Sequence, residues 1–577
     1  MSWQTVYEKW RTHRDLDEDL QIQLGSMKSN TTLLEDSFYT NLAFGTAGIR
    51  GEIGVGPNRM NIYTVRKASV GLARYIENLG EEAKTRGVVI AYDSRYLSPE
   101  FAREAARTLV QQGIQVYLFD SLRTTPELSF AVRYLYAVSG IVITASHNPK
   151  EYNGYKVYGS DGCQITSDAA KEITKQVNLV EDELTIPVAS VEALEASPLF
   201  EKIGEKVDQA YLKALEKITI QPDVIEQVAD DFKIVYTPLH GTGNLPVRKS
   251  LANAGFKHVQ VVREQELPDP EFSTVVYPNP EEHAAFELAI RDGEEIGADI
   301  LLATDPDADR VGVAVRNHQG TFEVLTGNQV GALLLNYLIT QKKANGTLAE
   351  NATVLKTIVT SELGSDIARD HGIDTIDTLT GFKYIGEQIN EFERSGDRSF
   401  LFGYEESYGY LIGDFVRDKD AVQTCLLIAE VAAYYKTRSM SVFDGLQELF
   451  ETYGFYQEHL ESLTLKGKEG IEQMQKILKD FREHPPKEFA GKSVKVIEDY
   501  ESSKRLMVDE DKEEVIDLPT ANVLKYYLTN GAWICVRPSG TEPKIKFYVG
   551  VKEATVEQSK QLIEELVKQL MERVRTE

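Results

Sequence analysis

The feature that most constrains this chain is a repeated alternation of short apolar runs with longer amphipathic segments. The runs are rich in β-branched residues, as buried parallel strands are, and they cover residues 88–92, 116–119, 141–144, 234–237, 300–304, 354–359 and 400–403. Segments between them, such as 100–112 and 326–341, space their apolar residues three and four positions apart, which is typical of helices packed on a sheet. The pattern predicts an α/β fold with mixed, mostly parallel sheets.

The chain is long enough for several such units. Its 577 residues, at roughly 150 per domain, suggest about four domains. We expect three similar α/β domains at 1–212, 213–320 and 321–440, and a different domain at 441–577, where the alternation is lost and the chain ends in a helical, charged segment. Ligands of α/β sheets gather where strands end, so we expect function in the loops that follow the strands.

Charge and cysteine content exclude several classes of partner. The chain has 90 acidic and 63 basic residues, a net charge of −27, which repels nucleic acid and anionic lipid. Its three cysteines, Cys163, Cys425 and Cys535, form no CxxC pair, which favours a reducing, cytoplasmic location. The N-terminus lacks the apolar core of a signal peptide, and the most apolar stretch, residues 421–435, is interrupted by polar residues. We therefore expect neither nucleic acid nor membrane as a partner.

The loop after the strand at 141–144 presents Ser146 and His147 and continues to Lys156. A serine fixed at a strand end suits a nucleophile or phosphate carrier, and Lys156 could neutralise phosphate charge or shuttle a proton. An ordinary capping turn explains the local pattern equally well. The adjacency of Ser146 and His147 does not indicate a Ser/His pair, since neighbouring side chains usually point apart.

The loop after the strand at 300–304 carries Asp305, Asp307 and Asp309. Three clustered carboxylates repel one another unless a cation neutralises them, and all-oxygen ligation suits Mg²⁺. An EF-hand is excluded, because Arg310 stands at its glycine position. The same stretch also fits the DxDxV pattern of haloacid-dehalogenase phosphotransferases, in which the first aspartate, here Asp307, is phosphorylated. Both interpretations are Mg²⁺-dependent phosphoryl chemistry, and the phosphate carrier is either Ser146 or Asp307.

Three further loops contain groups that bind sugars or phosphates. The segment 403–409 offers Glu405 and Ser407, which suit sugar hydroxyls. Residues 537–546 bring cations, hydroxyls and a flexible glycine together, as an oxyanion cradle requires. Residues 45–51 combine glycines with Arg50. Polar or tight turns remain alternatives for all three. Walker and GxGxxG nucleotide signatures fail on inspection.

Taken together, four motifs resemble the α-D-phosphohexomutase family. They are ASHNP at 145–149, DPDADR at 305–310, GYEESYG at 403–409 and RPSGTEPK at 537–544. Their order and spacing match throughout, and with residues 45–51 the resemblance covers nearly the whole chain. It implies four domains around one central cleft, the last of them a smaller α+β domain, with one loop from each domain in the cleft.

The resemblance also implies a role for each motif residue. Ser146 would be the phosphoserine, and Asp305, Asp307 and Asp309 would hold one Mg²⁺ together with a phosphoserine oxygen. Glu405 and Ser407 would contact sugar hydroxyls. The phosphate that is not reacting would be bound by Arg537, Ser539, Gly540, Thr541 and Lys546. The reacting end would be lined by Arg50, His147, Lys156 and Arg310, and Lys383 matches a family lysine linked to proton transfer.

The activity implied by the resemblance is interconversion of glucose 1-phosphate and glucose 6-phosphate through a phosphoserine enzyme and glucose 1,6-bisphosphate. The Glu405–Ser407 pattern favours glucose over mannose, and pentose phosphates remain an alternative. A non-catalytic sugar-phosphate sensor is a further alternative, opposed by the intact serine, acids and phosphate loop. We expect small sugar phosphates as the partners of a monomer or weak homodimer.

Overall fold

The computed structural model describes residues 2–45, 48–465, 467–539 and 544–576. It contains four sheets, each in its own part of the chain, which confirms the predicted fold of three α/β domains and a C-terminal α+β domain. No helix in the described ranges is both long and apolar enough to cross a bilayer.

The first domain has a six-stranded sheet in the order β1-β5-β4-β2-β3-β6. Its strands are β1 (Gly48–Glu52), β2 (Val88–Tyr92), β3 (Val116–Phe119), β4 (Ser139–Ile143), β5 (Tyr152–Gly159) and β6 (Phe200–Ile203). Its helices are α1 (Trp3–Thr12), α2 (Glu18–Met27), α3 (Thr31–Phe38), α4 (Ile62–Leu79), α5 (Glu81–Arg86), α6 (Ser98–Gln111), α7 (Thr125–Tyr134), α8 (Ser167–Asn178), α9 (Val191–Glu195) and α10 (Glu205–Leu215). Strands β4, β2, β3 and β6 run parallel, whereas β1 and β5 form an antiparallel edge.

The second domain has a five-stranded sheet in the order β11-β10-β9-β7-β8. Its strands are β7 (Lys233–Thr237), β8 (His258–Val261), β9 (Ile300–Thr304), β10 (Val311–Arg316) and β11 (Phe322–Val324), and its helices are α11 (Pro222–Val228), α12 (Asn244–Ala254) and α13 (Glu287–Ile296). Strand β11 joins this sheet beyond residue 320, because the turn at 317–321 connects two antiparallel strands. The four expected domain ranges otherwise stay predictions.

The third domain has a four-stranded sheet in the order β13-β12-β14-β15. Its strands are β12 (Ala352–Thr357), β13 (Asp374–Thr378), β14 (Ser399–Glu405) and β15 (Gly409–Leu411), and its helices are α14 (Gly327–Ala344), α15 (Leu363–Asp370), α16 (Phe382–Ser395), α17 (Ala421–Thr437) and α18 (Val442–Tyr453). Helix α17 is the apolar stretch of the sequence, and it is almost wholly buried. It packs on elements of both the second and third domains, which explains its apolar composition.

The fourth domain is an antiparallel sheet in the order β16-β23-β22-β21-β18-β19-β20, with β17 beside β18. Its strands are β16 (Phe455–Thr464), β17 (Glu488–Phe489), β18 (Lys492–Asp499), β19 (Lys504–Met507), β20 (Lys512–Val515), β21 (Leu524–Leu528), β22 (Trp533–Pro538) and β23 (Lys544–Glu553), and its helices are α19 (Gly467–Glu483) and α20 (Val556–Thr576). It has a core of its own, whereas one continuous core runs through the first three domains.

All seven apolar runs of the sequence are strands, and they pair in parallel with one another where they are neighbours. The C-terminal ends of the predicted strands therefore lie at the same edge of each sheet. One difference concerns residues 152–156, which the sequence places in a loop. They begin strand β5, because pairing with β1 and β4 overrides the turn preference of asparagine and glycine.

Candidate active site

Loops from all four domains line one cleft of about 830 Å³. His147 comes from the first domain, Arg310 from the second, Glu405 from the third and Arg537 from the fourth. The loops meet because each follows the end of a strand that points toward the cleft. Described residues of the four motifs, each motif about 95 to 155 residues from the next along the chain, are thus brought together.

Ser146 lies in the turn after β4 and is almost fully buried. Its Oγ donates a hydrogen bond to Oδ2 of Asp305 in the second domain, at 2.7 Å. The same Oγ lies 3.1 Å from Nδ1 of His147, although side chains of chain neighbours usually point apart and a pair is not expected from their adjacency. The difference follows from the left-handed backbone of Ser146, with φ at 53°, which turns the chain sharply at that residue.

Asp305, Asp307 and Asp309 occupy the tight turn between β9 and β10, and all three are buried. Oδ1 of Asp305 accepts hydrogen bonds from the backbone N–H groups of Asp309 and Arg310, at 3.1 and 3.0 Å. Each residue offers an oxygen within 4.8 Å of the other two. Within the described residues, Oδ1 of Asp307 and Oδ1 of Asp309 have no hydrogen-bond partner. Buried carboxylate oxygens left in this state fit a hard divalent cation.

Two lysines partly neutralise this acidic turn. Nζ of Lys156 lies 2.8 Å from Oδ2 of Asp307 and 3.6 Å from Asp309. Nζ of Lys419 lies 3.1 Å from Oδ2 of Asp309. Burial and the two neighbouring aspartates raise the pKa of Asp305 well above its usual range. Although burial opposes ionisation of Asp307 as well, Lys156 and neighbouring hydrogen bonds hold its pKa below the usual range.

Two arginines lie beside the Ser146 loop. Nη1 of Arg50, on β1, donates to Oδ1 of Asn148 at 2.9 Å. Nη1 of Arg310 donates to Oε1 of Glu281 at 2.7 Å and to the carbonyl of Ser407 at 2.9 Å, so it joins the acidic turn to the loop of the third domain.

Burial, reinforced by the charges of Arg310 and Arg50, holds the pKa of His147 well below its ordinary value, so that its imidazole is neutral at pH 7.

Glu405 ends strand β14 at the wall of the cleft and is mostly buried. Burial raises its pKa to about 6, against the opposing charges of Lys419 and Arg310. Ser407 follows in the same turn and also lines the cleft. These groups present an acceptor and a hydroxyl to the cleft, which is the chemistry that recognises sugar hydroxyls.

The fourth domain contributes a pair of cations. Arg537 on β22 is paired in register with Lys546 on β23, and both line the cleft. Burial, together with the charge of Arg537, lowers the pKa of Lys546. The backbone N–H of Ser539 donates to the carbonyl of Lys544 at 2.7 Å. The remaining predicted residues of this loop, Gly540 and Thr541, lie outside the described residues.

Lys383 directly follows Thr380, Gly381 and Phe382, which line the cleft. It lies in the first turn of α16, and its Nζ is 4.7 Å from the centre of the Tyr384 ring. Among the described residues this Nζ has no hydrogen-bond partner, and burial lowers its pKa.

Three residues near the site were missed by sequence reasoning. Thr125 donates its hydroxyl hydrogen bond to Oδ2 of Asp307 at 2.8 Å. Lys419 contacts Asp309, and Arg95 contacts the Ser146 loop. Lys419 belongs to the run 417–420, in which four consecutive charged residues are all buried. Charged residues directly before an apolar helix were the available signal for Lys419, and the polar residues that directly follow strand β2 were the signal for Arg95.

Comparison with known proteins gives four consecutive family matches. Residues 41–183, 209–320 and 326–453 match the phosphoglucomutase/phosphomannomutase alpha/beta/alpha domains I, II and III. Residues 463–569 match the C-terminal domain of the same proteins.

Similar whole proteins cover almost all of the chain. A phosphoglucomutase of Staphylococcus haemolyticus (strain JCSC1435) is 39% identical over 554 residues, 96% of this chain and 98% of its own. A phosphoglucomutase of Staphylococcus epidermidis is 42% identical over 517 residues, 90% and 92% of the two chains. The crystal structure of parafusin, a phosphoglucomutase of Paramecium in its open form, has the same fold, with a TM-score of 0.67 at 17% identity, covering 93% of this chain and 95% of its own.

Proposed function

Because this chain belongs to the phosphoglucomutase/phosphomannomutase family, we propose that it interconverts α-D-glucose 1-phosphate and glucose 6-phosphate through a phosphoserine at Ser146. The observation that carries the proposal is the 2.7 Å contact between Oγ of Ser146 and the carboxylate of Asp305, beside a cleft that all four domains line. A hydroxyl is thereby placed against a cluster of buried acids.

The acidic turn is the proposed binding site for one Mg²⁺, held by Asp305, Asp307 and Asp309 and by an oxygen of phosphorylated Ser146. When bound, the cation supplies charge neutralisation for the phosphoryl group in transfer. The fit rests on the two carboxylate oxygens that have no hydrogen-bond partner within the described residues.

In the proposed reaction, phosphorylated Ser146 gives its phosphoryl group to one oxygen of the sugar phosphate. The P–O bond to Ser146 breaks, a new P–O bond forms on the sugar, and glucose 1,6-bisphosphate results. The bisphosphate then turns around in the cleft, and its other phosphoryl group returns to Ser146. Glucose 1,6-bisphosphate also primes an enzyme that has lost its phosphate.

Two phosphate subsites follow from that sequence of steps. Arg50, His147, Lys156 and Arg310 are proposed to surround the reacting phosphate, where cations stabilise developing charge. Arg537 and Lys546, with Ser539, Gly540 and Thr541, are proposed to bind the other phosphate. Glu405 and Ser407 are proposed to hold the sugar hydroxyls between the two subsites.

The accepting sugar hydroxyl must lose its proton, and the leaving serine oxygen must gain one. His147 and Lys156 are the proposed candidates nearest the reacting end, because Nδ1 of His147 lies 3.1 Å from Oγ of Ser146 and Lys156 contacts Asp307. Lys383, whose Nζ has no hydrogen-bond partner among the described residues, is a further candidate. Since one chain supplies all four loops, we expect a monomer or weak homodimer to be active.

The experiment that tests the proposal compares turnover of glucose, mannose, ribose and deoxyribose 1-phosphates, with Mg²⁺ and glucose 1,6-bisphosphate present. We expect glucose 1-phosphate to be preferred and EDTA to abolish turnover. Ser146→Ala should fold normally without measurable turnover, whereas Ser121→Ala, at an exposed loop serine of the same domain, should behave as the wild type.

Other outcomes select the alternatives. If Ser146→Ala keeps a near-normal rate while Asp307→Asn is inactive and phosphate is recovered on Asp307, the aspartyl-phosphate mechanism replaces this one. Preference for mannose or a pentose changes the substrate but keeps the mechanism. Absence of both turnover and bound phosphate in the presence of Mg²⁺ indicates a sensor.

A further inference from the structure

Behind the Ser146 loop lies Arg95, a fully buried arginine set back from the wall of the cleft. It follows strand β2, which is the parallel neighbour of β4, with Tyr92 opposite Ile143. The Arg95 segment and the Ser146 loop therefore leave the same edge of the sheet side by side.

Among the residues that the structure describes, the guanidinium of Arg95 donates its hydrogen bonds to backbone carbonyls of this loop alone. Its Nη2 donates to the carbonyls of Ser146 and Asn148. Its Nη1 donates to the carbonyls of Pro149, at 2.8 Å, and Tyr152, at 3.2 Å. The loop is thus wrapped around one planar group with several fixed donors. A lysine ammonium has a single centre and cannot reach all four carbonyls at once.

These contacts hold a backbone that would otherwise relax. Ser146 has a φ of 53°, a conformation that costs a residue other than glycine of order 1 kcal/mol. Its backbone N–H donates to Oγ1 of Thr144 at 2.8 Å, and its carbonyl accepts from Arg95. Both peptide groups of the strained residue are therefore fixed by buried side chains.

Arg95 is itself held from two sides. Oδ2 of Asp93 lies 3.4 Å from Nε of Arg95, while Oδ1 of Asp93 accepts from Oγ of Ser98 at 2.7 Å. On the other side, the ring of Phe272 lies 4.9 Å from the guanidinium carbon. Phe272 belongs to the second domain, which also carries the acidic turn. Arg95 therefore contacts both Ser146 and the domain that carries Asp305.

We propose that Arg95 is a positioning residue that holds Oγ of Ser146 in register with the acidic turn of the second domain. The inference rests on the phosphoserine mechanism proposed above. Transfer of a phosphoryl group requires donor and acceptor in line, and a displacement of about 1 Å can cost about 100-fold in rate. In the proposed function the sugar hydroxyls and the second phosphate are bound by loops of the third and fourth domains, so we expect the larger effect in kcat.

The test is Arg95→Lys, which keeps the buried charge and removes the fork of donors. We expect kcat to fall about 10- to 100-fold, with KM for glucose 1-phosphate changed less than about threefold. The rate at which residue 146 gains phosphate from glucose 1,6-bisphosphate, followed by mass spectrometry, should fall in parallel.

The matched control is Arg86→Lys, because Arg86 also donates to loop carbonyls of the first domain, those of Tyr136 and Ala137. It should leave kcat unchanged.

A second readout needs no turnover. Amide hydrogen exchange across residues 145–152 of the unliganded, full-length protein should be faster in Arg95→Lys than in the wild type or Arg86→Lys. If the wild type turns over no sugar phosphate while Arg95→Lys still exchanges faster than the wild type, the proposed function is wrong and the hold of Arg95 on the loop is confirmed.

If Arg95→Lys fails to fold, Phe272→Leu carries the test. It keeps the hydrogen bonds of Arg95 and removes the aromatic contact with the second domain, and we expect a fall in kcat of about 3- to 10-fold without a change in KM. The proposal is overturned if the folded variants keep kcat within about twofold and the loop exchanges as in the wild type.

Discussion

The contact between Ser146 and Asp305 is the basis of the proposed chemistry of this molecule. A serine hydroxyl is a weak nucleophile unless neighbouring groups activate it. The left-handed turn at Ser146 aims the hydroxyl at Asp305 in another domain, beside acids whose charge is only partly offset by Lys156 and Lys419. Local strain at one residue is thus balanced by contacts that only the assembled molecule provides.

A prediction at this scale concerns Glu405 and pH. Burial raises its pKa from 4.5 to about 6, so that below pH 6 the carboxyl becomes protonated and loses charge as an acceptor for sugar hydroxyls. We expect kcat/KM to fall as pH is lowered through about 6. In Glu405→Gln, kcat/KM should be lower throughout and should lose this limb of the profile. The phosphate of the substrate titrates in the same range in both proteins, so the difference between the two profiles isolates Glu405.

Protonation of Glu405 is expected to lower kcat/KM but to favour the folded state over the unfolded chain. Because the pKa of this carboxyl is higher in the folded protein than in the unfolded chain, the folded state binds the proton more tightly between about pH 4.5 and 6. The contribution of Glu405 to stability therefore decreases as pH rises through this window and is constant above it. Profiles of kcat/KM that coincide for wild type and Glu405→Gln would contradict the assignment.

At the scale of elements, the sequence predicts the parallel strands well and the antiparallel strand β5 poorly. Central strands such as β9 are buried on both faces, and therefore appear as continuous apolar runs. Strand β5 contains asparagine and glycine and becomes a strand only because β1 and β4 flank it. Lys419 and Arg95 escaped prediction for a related reason, since their partners lie in segments distant in sequence and only tertiary structure brings them together.

The start of helix α14 provides a prediction about one element. A Cβ added to Gly327 would lie 2.1 Å from the carbonyl oxygen of Glu406, so Gly327→Ala must displace the loop that carries Glu405 and Ser407. We expect a loss of about 1–3 kcal/mol in stability and a higher KM for sugar phosphates. Urea unfolding and steady-state kinetics measure the two effects.

The matched control for Gly327→Ala is Gly25→Ala. Gly25 lies inside helix α2, and its added Cβ would meet no atom within 4 Å. Alanine at an open helical position stabilises by about 0.5–1 kcal/mol, and this site is remote from the cleft. Equal changes of stability and KM in the two variants would show that α14 does not set the position of the loop that carries Glu405 and Ser407.

At the scale of the whole molecule, the domains are joined unequally. One core continues through the first three domains, whereas the fourth has its own core. The fourth domain meets the third through a smaller cluster that includes Ile358, Leu379, Val523 and Trp533. Because this cluster is smaller than the core that the first three domains share, the fourth domain is the expected mobile part of the cleft.

Closure of the fourth domain gives the last prediction. Arg537 and Lys546 lie on this domain, and a bisphosphate held at the Ser146 loop attracts them across the cleft. We expect glucose 1,6-bisphosphate to reduce the radius of gyration of the wild type in small-angle X-ray scattering.

Arg537→Met should lose most of this compaction and raise KM at least about 10-fold, because a charge-assisted hydrogen bond to phosphate is removed. Lys512→Met removes an equal charge from exposed strand β20 and should change neither quantity. Compaction that persists in Arg537→Met would mean that closure is driven by contacts other than the phosphate.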